Sequence, residues 1–412
     1  MNWTRRDLLK AAMSVPAAGS YLASYQAWAA PSEKLVKITA IKAMQLDNVG
    51  DGCLIKIETD AGVVGYGEAG ANSRMARARI EQMERVWMGQ DPLAIERLFY
   101  QMTAPQNPFI PHVGLISGID IALWDLAGKI IGQPVHRLMG GPMRTAVPIY
   151  SHGRLTNMSD PAAAKDWAQK VKAAPEGFRT FKFGVGFGDR QTGSPWARTA
   201  DGYELRKVAK AYANIRNAAG DDIDIAMHGT GQFDLPTAQG LCRAIEPIDP
   251  AWFEDPLNYT YSDAWLQLKR STRVPILTGE KVELVAGFKP YLDAGAVDII
   301  HPDPAYAGGI TGIRKIADYA NVTRVPVALH SGPASLIRFY AAIQLGGVIQ
   351  NFFRIENVLG EFRGFKEKMA MPGKEPVIRN SAMALPAGPG LGLEMNEDWL
   401  KQHVAKGEPY WS

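Results

Sequence analysis

Between residues 228 and 356, six short apolar runs each end in a polar residue able to do chemistry: IDIAMH at His228, PAWFE at Glu254, PILTGE at Glu280, DIIHPD at Asp303, VPVALH at His330 and FFRIE at Glu356. The steps between them are 26, 26, 23, 27 and 26 residues. Each step holds one strand, one helix and two turns, the crossover that parallel strands need. Competent side chains at the C-terminal ends of successive strands suit a (β/α)8 barrel, whose site is assembled from the loops at that face. The pattern predicts an α/β chain on such a barrel. The competing arrangement is a doubly wound sheet with acids at its loop edges.

Upstream the pattern changes. Residues 34–44 (LVKITAIKAM and its preceding residue) alternate like a strand, and Cys53 to Glu58 leads through Thr59-Asp60-Ala61-Gly62 into a second strand at 63–67, a hairpin signal. Helical spacing follows at 76–88, 95–102 and 117–131, the last with Ile119, Ala122, Leu123, Leu126 and Ile130 on one face. Strands first and helices after predict an α+β domain over 31–145, ending near Gly140-Gly141-Pro142. The barrel is expected over 146–385, with AVPIY (146–150) as its first strand and 179–184 as its second. From Lys182 to His228 the step lengthens to 46 residues, and the surplus GVGFGDRQTGSPWARTADGY (184–203) reads as a long loop over the barrel mouth. The Gly/Pro segment PAGPGLGLE marks where the chain leaves the barrel for a C-terminal segment, 386–412.

Residues 1–30 read as a transport signal. Arg5-Arg6 in the run from Thr4 to Lys10 is a twin-arginine pattern, followed by AAMSVPAAGSYLASYQAWAA and an Ala27-Trp28-Ala29 cleavage-type site. Pro16, Gly19 and Gln26 make that run too polar and too short to span a bilayer, and no Cys follows the site to carry a lipid. The expectation is a periplasmic protein, exported folded, with no stable membrane anchor after cleavage. Cys53 and Cys242, the chain's two cysteines, fall in different predicted domains and apolar contexts, which predicts two buried free thiols. A formal charge of +3 with no basic run beyond the N-terminus gives no case for nucleic acid. A small molecule is the expected partner.

The motifs KIETDAGVVGYGEA (56–69), SGIDIALWDLAGKIIGQPVHRLMGG (117–141), WFEDP (252–256), Gly279-Glu280, HPDPAYAGGITG (301–312) and PGLGLE (389–394) together resemble the enolase superfamily, in its mandelate racemase-like branch that contains sugar-acid dehydratases. The resemblance implies a modified (β/α)8 barrel, an N-terminal α+β capping domain, a C-terminal tail returning to it, and a homo-oligomer. It also implies a divalent ion, usually Mg2+, held by acids at the ends of strands 3, 4 and 5. The shared chemistry is removal of a proton next to a carboxylate. Such a proton is too weakly acidic for a side-chain base unless the charge growing on the carboxylate is neutralised in place, which a cation does. A Lys or His base beside magnesium is the general pattern for this superfamily.

Carried over residue by residue, Glu254 and Glu280 match the second and third metal positions. His330 and Asp303 match a base and its orienting carboxylate. Glu356 matches a strand 8 acid that donates a hydrogen bond to the substrate carboxylate if its pKa is raised, although its register needs a one-residue gap. Two departures stand out. The family's first metal ligand is an Asp, and His228 falls there in the gapless register; this softens the site toward Mn2+, Fe2+ or Zn2+. In the alternative register Ala226 takes the ligand position and His228 becomes a general acid. On strand 2 the family's Lys-x-Lys becomes Lys182-Phe183-Gly184, so the second base is absent and two-base racemisation is disfavoured. Lys182 then holds a substrate carboxylate or hydroxyl, or forms a buried ion pair. Tyr150 and His152 end strand 1 with inward parity, as substrate contacts or as packing; loss of a β-hydroxyl is assisted by His330 itself or by Tyr150, His152 or His228.

The leading expectation is a metal-dependent acid-sugar dehydratase giving a 2-keto-3-deoxy acid through an enediolate. The alternatives are a cycloisomerase or epimerase on the same scaffold, or a non-catalytic periplasmic sugar-acid binding protein.

Overall fold

In the computed structural model, the described residues are 36–49, 52–104, 112–155, 157–187, 197–332, 334–357 and 366–412. The twin-arginine stretch lies outside them, as does the middle of the 184–203 insertion. Strands β1 (Ile38–Met44), β2 (Cys53–Thr59) and β3 (Val64–Ala69) form an antiparallel sheet in that order. The β2–β3 turn is closed by Gly62 at φ 74°, a left-handed conformation that suits glycine.

The expected helix over 76–88 divides into Ser73–Gln82 and Glu84–Trp87, because Met83 (φ −101°, ψ 10°) leaves helical geometry. The next helix is Ile95–Thr103. The helix Val113–Ile131 starts four residues before the expected Ser117, with His112 Nδ1 accepting from Leu115 N. Every residue from Val113 to Leu123 is buried, so apolar periodicity could not mark where it begins. This helix lies flat on β3. A Cβ on Gly67 would come within 1.9 Å of Gly118 O, so the close approach depends on both glycines.

Eight parallel strands follow: β4 (Ala146–His152), β5 (Thr180–Gly184), β6 (Asp224–His228), β7 (Phe253–Glu254), β8 (Ile276–Thr278), β9 (Ile299–Ile300), β10 (Val327–Leu329) and β11 (Phe352–Glu356). Pairing of β11 with β4, Ile355 opposite Ile149 and Glu356 opposite Tyr150, closes the barrel. An α-helix follows each of the first seven strands; between β11 and the next strand the described residues hold a 3-10 turn, Lys366–Met369, in place of one. Beyond it, β12 (Ile378–Arg379) and β13 (Ala382–Ala384) form a hairpin whose second strand pairs antiparallel with the start of β4. Inside the barrel Tyr150, Ala226, Trp252, Leu277, Ile299 and Ala328 form a buried layer that floors the mouth.

The tail then returns to the N-terminal sheet. Leu391 N donates to Asp125 Oδ1, and Ala43 N donates to Ser412 O. Glu397 is tied to Lys56, Tyr66 and Trp411. Cys53 and Cys242 are both buried free thiols. Among the described residues no helix is long and apolar enough to cross a membrane.

Candidate active site

The C-terminal ends of β6, β7 and β8 meet in one cluster. His228 is the last residue of β6 and sits opposite Glu254, the last of β7. Gly279, at φ 137°, turns the chain after β8 so that Glu280 enters the same space. One ligand atom each from His228, Glu254, Asp255 and Glu280 lie within 4.8 Å of one another. His228 Nε2 stands 3.7 Å from Glu254 Oε1 and 3.9 Å from both Asp255 Oδ2 and Glu280 Oε2. These separations are too long for direct hydrogen bonds. Both His228 Nε2 and Asp255 Oδ2 are buried without a hydrogen-bond partner. Orphaned polar atoms are costly in a dry site, and a cation among them would satisfy both.

Electrostatics agree with that fit. Burial, helped by the nearby Lys182 ammonium, pushes His228 down to about 3, so the ring is neutral and keeps a lone pair to offer. Burial, then the Glu280 and Glu254 charges, push the Asp255 carboxyl well above the carboxylate range. For Glu280, burial works upward but His330, His228 and Lys182 outweigh it and hold it at about 2. Asp255 was not singled out from sequence, although WFEDP contains it. Strand alternation would send it away from Glu254, but its φ of 46° turns the backbone and returns it to the site.

The next two strand ends bring the imidazole and carboxylate together. His330 Nδ1 lies 2.5 Å from Asp303 Oδ2, and its Nε2 faces inward, 3.2 Å from both Glu280 Oε2 and Glu356 Oε2. A carboxylate on Nδ1 fixes the tautomer and leaves Nε2 for the site. Burial alone would lower this ring's pKa; Glu356, Glu280 and Asp303 overcome it and raise it to about 10. Behind the pair, Arg338 Nη1 is 3.3 Å from each Asp303 oxygen.

Lys182 is a buried ion-pair hub. Its Nζ is 2.5 Å from Glu254 Oε1 and 2.7 Å from Glu356 Oε1, and donates to Tyr150 OH at 3.5 Å. Burial would lower its pKa, but the two glutamates more than reverse that and raise it. His152 Nε2 adds a second contact to Glu356 Oε1, at 2.7 Å. The condition for Glu356 to act as a donor, a raised pKa, is not met by its surroundings. Burial pushes its pKa up, yet Lys182, His330 and His152 together hold it well below the carboxylate range, so it is an ionised acceptor. His301, also unassigned from sequence, is fully buried between Tyr150 OH (3.1 Å from Nε2) and Glu254 (3.8 Å from Nδ1). Burial lowers it to about 4. Its signal was the HPD triplet, where Asp303 drew the assignment. Asp224, at the other end of β6, pairs with Arg354 away from the mouth. The described ends of the insertion cover the β5–β6 edge: Val185 N donates to His228 O, and the Phe187 ring packs on Phe233.

Residues 36–140 match the mandelate racemase/muconate lactonizing enzyme N-terminal domain, and 163–399 match the enolase C-terminal domain-like family. A D-xylonate dehydratase from Haloferax volcanii is 30% identical over 90% of this chain and 90% of its own. A D-galactonate dehydratase from Xanthomonas oryzae pv. oryzae is 31% identical over 87% and 92%, and a D-gluconate dehydratase from Thermoproteus tenax 30% identical over 87% and 72%. Among solved structures, a mandelate racemase/muconate lactonizing enzyme-like protein from Rubrobacter xylanophilus superposes with a TM-score of 0.81 at 28% identity, covering 92% of this chain and 100% of that one. An enolase superfamily member from Salmonella Typhimurium gives 0.81 at 25% identity, covering 91% and 99%.

Proposed function

Because the chain belongs to the enolase superfamily, in its mandelate racemase/muconate lactonizing enzyme-like branch, and its dehydratase relatives make it a lyase, we propose that it dehydrates an acid sugar of the aldonate type to a 2-keto-3-deoxy acid. The observation that carries this reading is His330. Its Nε2 faces the cluster of His228, Glu254, Asp255 and Glu280, while Asp303 holds its other nitrogen.

His228, Glu254, Asp255 and Glu280 would hold a divalent ion; three carboxylates and an imidazole suit Mg2+ or Mn2+, and the imidazole also admits Fe2+ or Zn2+. When bound, the ion supplies electrostatic stabilisation for the charge that grows on the substrate carboxylate. Glu356, Glu280 and Asp303 favour a proton on His330 in the metal-free site; with the Glu280 charge offset by a cation, the neutral ring would take the α-proton at Nε2 to give the enediolate, and Asp303 stabilises the resulting imidazolium. Ionised Glu356 accepts hydrogen bonds from substrate hydroxyls. Lys182 keeps Glu356 and Glu254 charged rather than serving as a second base. Gly184 stands where a second lysine would act, so proton removal comes from one face. His152 contacts Glu356 Oε1 while His330 faces Oε2, and in this reading His152 would protonate the departing β-hydroxyl.

The test is incubation of an aldonate library with Mg2+ or Mn2+ in deuterated water. Formation of a keto acid supports dehydration, exchange without water loss indicates an epimerase, and no exchange on any member overturns the reading. His330→Asn is expected to slow exchange and product formation by about 10²-fold or more, with metal content unchanged. Export as a folded periplasmic protein and assembly as a homo-oligomer complete the proposal. The former is supported by the twin-arginine pattern at Arg5-Arg6 and is checked by fractionating cells expressing an Arg5→Lys, Arg6→Lys variant.

A further inference from the structure

The base of the site is connected by charge to the N-terminal sheet. Glu68, on β3, is buried, and its Oε2 accepts from Ser335 N at 2.9 Å and from Ser335 Oγ, at the start of the helix Leu336–Val348. Its other oxygen, Oε1, lies 3.4 Å from Arg338 Nε. Arg338, only 1% exposed, reaches Asp303 with Nη1, and Asp303 reaches His330. The four groups alternate in sign from β3 to the imidazole: carboxylate, guanidinium, carboxylate, ring. The amide that follows β3 is shared between the two units: Gly70 N approaches Ala305 O in the loop after β9 (3.2 Å) and Gly114 O in the helix Val113–Ile131 (3.1 Å).

We propose that Glu68 and Arg338 are positioning residues for the base: docking of the N-terminal sheet fixes the guanidinium, which orients Asp303 and thereby aims His330 Nε2 into the site. The inference rests on the reading of His330 as the base. Neither residue touches the substrate position; they act through Asp303. The physical need is specific. Asp303 is wholly buried; Ala305 N donates to its Oδ1 at 2.6 Å, but that neutral amide and the imidazole leave the buried charge under-compensated without a cation behind it. A planar guanidinium offering one nitrogen to both oxygens holds the carboxylate plane. Arg338 is itself buried and so needs an anion of its own, which Glu68 provides. Glu68 also sits at the positive end of the helix that carries Arg338. A merely structural clamp between sheet and barrel would make the same contacts, so the test must read the imidazole.

The first readout uses substrate-free protein labelled with ¹⁵N-histidine: the Nδ1 proton of His330 in its hydrogen bond to Asp303, assigned by its loss in His330→Asn. Glu68→Gln keeps the size of the side chain and its bonds from Ser335 but removes the charge. It is expected to shift or broaden that signal and lower kcat by about 10–100-fold, with KM and bound metal unchanged. Arg338→Lys, which keeps the charge without the fork, is expected to retain more activity than Arg338→Met. If Arg338→Met does not fold, Glu68→Gln alone decides. An unaltered His330 signal with kcat within twofold of wild type in Glu68→Gln overturns the proposal. A changed signal in a protein that turns over no acid sugar supports the relay while defeating the dehydratase reading. Normal turnover with an unchanged signal does the reverse.

Discussion

Replacing Lys182 by Met tests how the buried charges of the mouth are balanced. The ammonium is 2.5 Å from one glutamate oxygen and 2.7 Å from another, with all three side chains at most 2% exposed. At an effective dielectric of about 20, each contact is worth about 6 kcal/mol of attraction. Desolvation of the three ions offsets most of that sum, and removing one member of such a cluster typically costs about 3–5 kcal/mol because uncompensated charge stays behind. An unfolding entropy of about 2.1 cal/mol/K per residue gives roughly 0.9 kcal/mol/K for a chain of this length, so Tm should fall by about 3–6 °C. The pH dependence has a definite sign. In wild type, depressed Glu356 contributes stability above its ordinary pKa that is lost as pH falls through its folded value. Without Lys182, Glu356 loses the largest charge opposing its burial and its carboxyl is expected to rise, so the variant gains stability relative to wild type as pH falls. The deficit should therefore be largest near pH 8 and shrink toward pH 5. The assay is calorimetric or denaturant unfolding of both proteins in chelator, which keeps bound ions out of the comparison. A Tm within 1 °C of wild type, or a deficit that widens on acidification, would refute the charge-balance argument.

Asp255→Asn should weaken divalent-ion binding by at least about tenfold in titration calorimetry, a size typical for the groups that tune a metal site; unchanged affinity would remove Asp255 from the ligand set. Asp120, where Oδ2 accepts from Thr311 N, is lifted by burial from 3.8 to about 7. It therefore contributes stability that is complete below pH 3.8 and lost as pH rises through 7. Asp120→Asn should flatten the stability-versus-pH curve between 5 and 7 by up to about 1.4 kcal/mol per pH unit; parallel curves for the two proteins would contradict this. Gly67→Ala, which drives a methyl into Gly118 O, should destabilise the chain by about 1–3 kcal/mol in urea unfolding, and a neutral result would mean the helix can lift off β3 without loss.

The barrel was legible because a 26-residue step ending in a polar residue is hard to produce by any other layout, and the strand ends His228, Glu254, His330 and Glu356 fall at or next to their strands' last residues. What periodicity could not show is where backbone geometry departs from alternation. Asp255 enters the cluster only through a positive φ, and Glu280 only through the turn at Gly279. The start of the helix Val113–Ile131 was hidden for a related reason, since a helix buried all round has no polar face to end the pattern. The ionised state of Glu356 depends on three partners from β4, β5 and the residue after β10, and no local window contains them. Glu68 was quoted within a motif but given no role, because its partner Arg338 is 270 residues further along.

The way the tail is held has a consequence for how this molecule comes into being. Synthesis delivers β1, β2 and β3 early, yet Tyr66 and Lys56 receive Glu397 and Trp411 only after nearly every other residue has left the ribosome. Until then the face of the sheet carrying Lys56 and Tyr66 lacks these partners while the barrel strands emerge, and the contact of Ser412 O with Ala43 N joins residues 369 positions apart. A bulky tag fused directly after Ser412 would intrude at that seam, whereas a flexible spacer would let the seam close first.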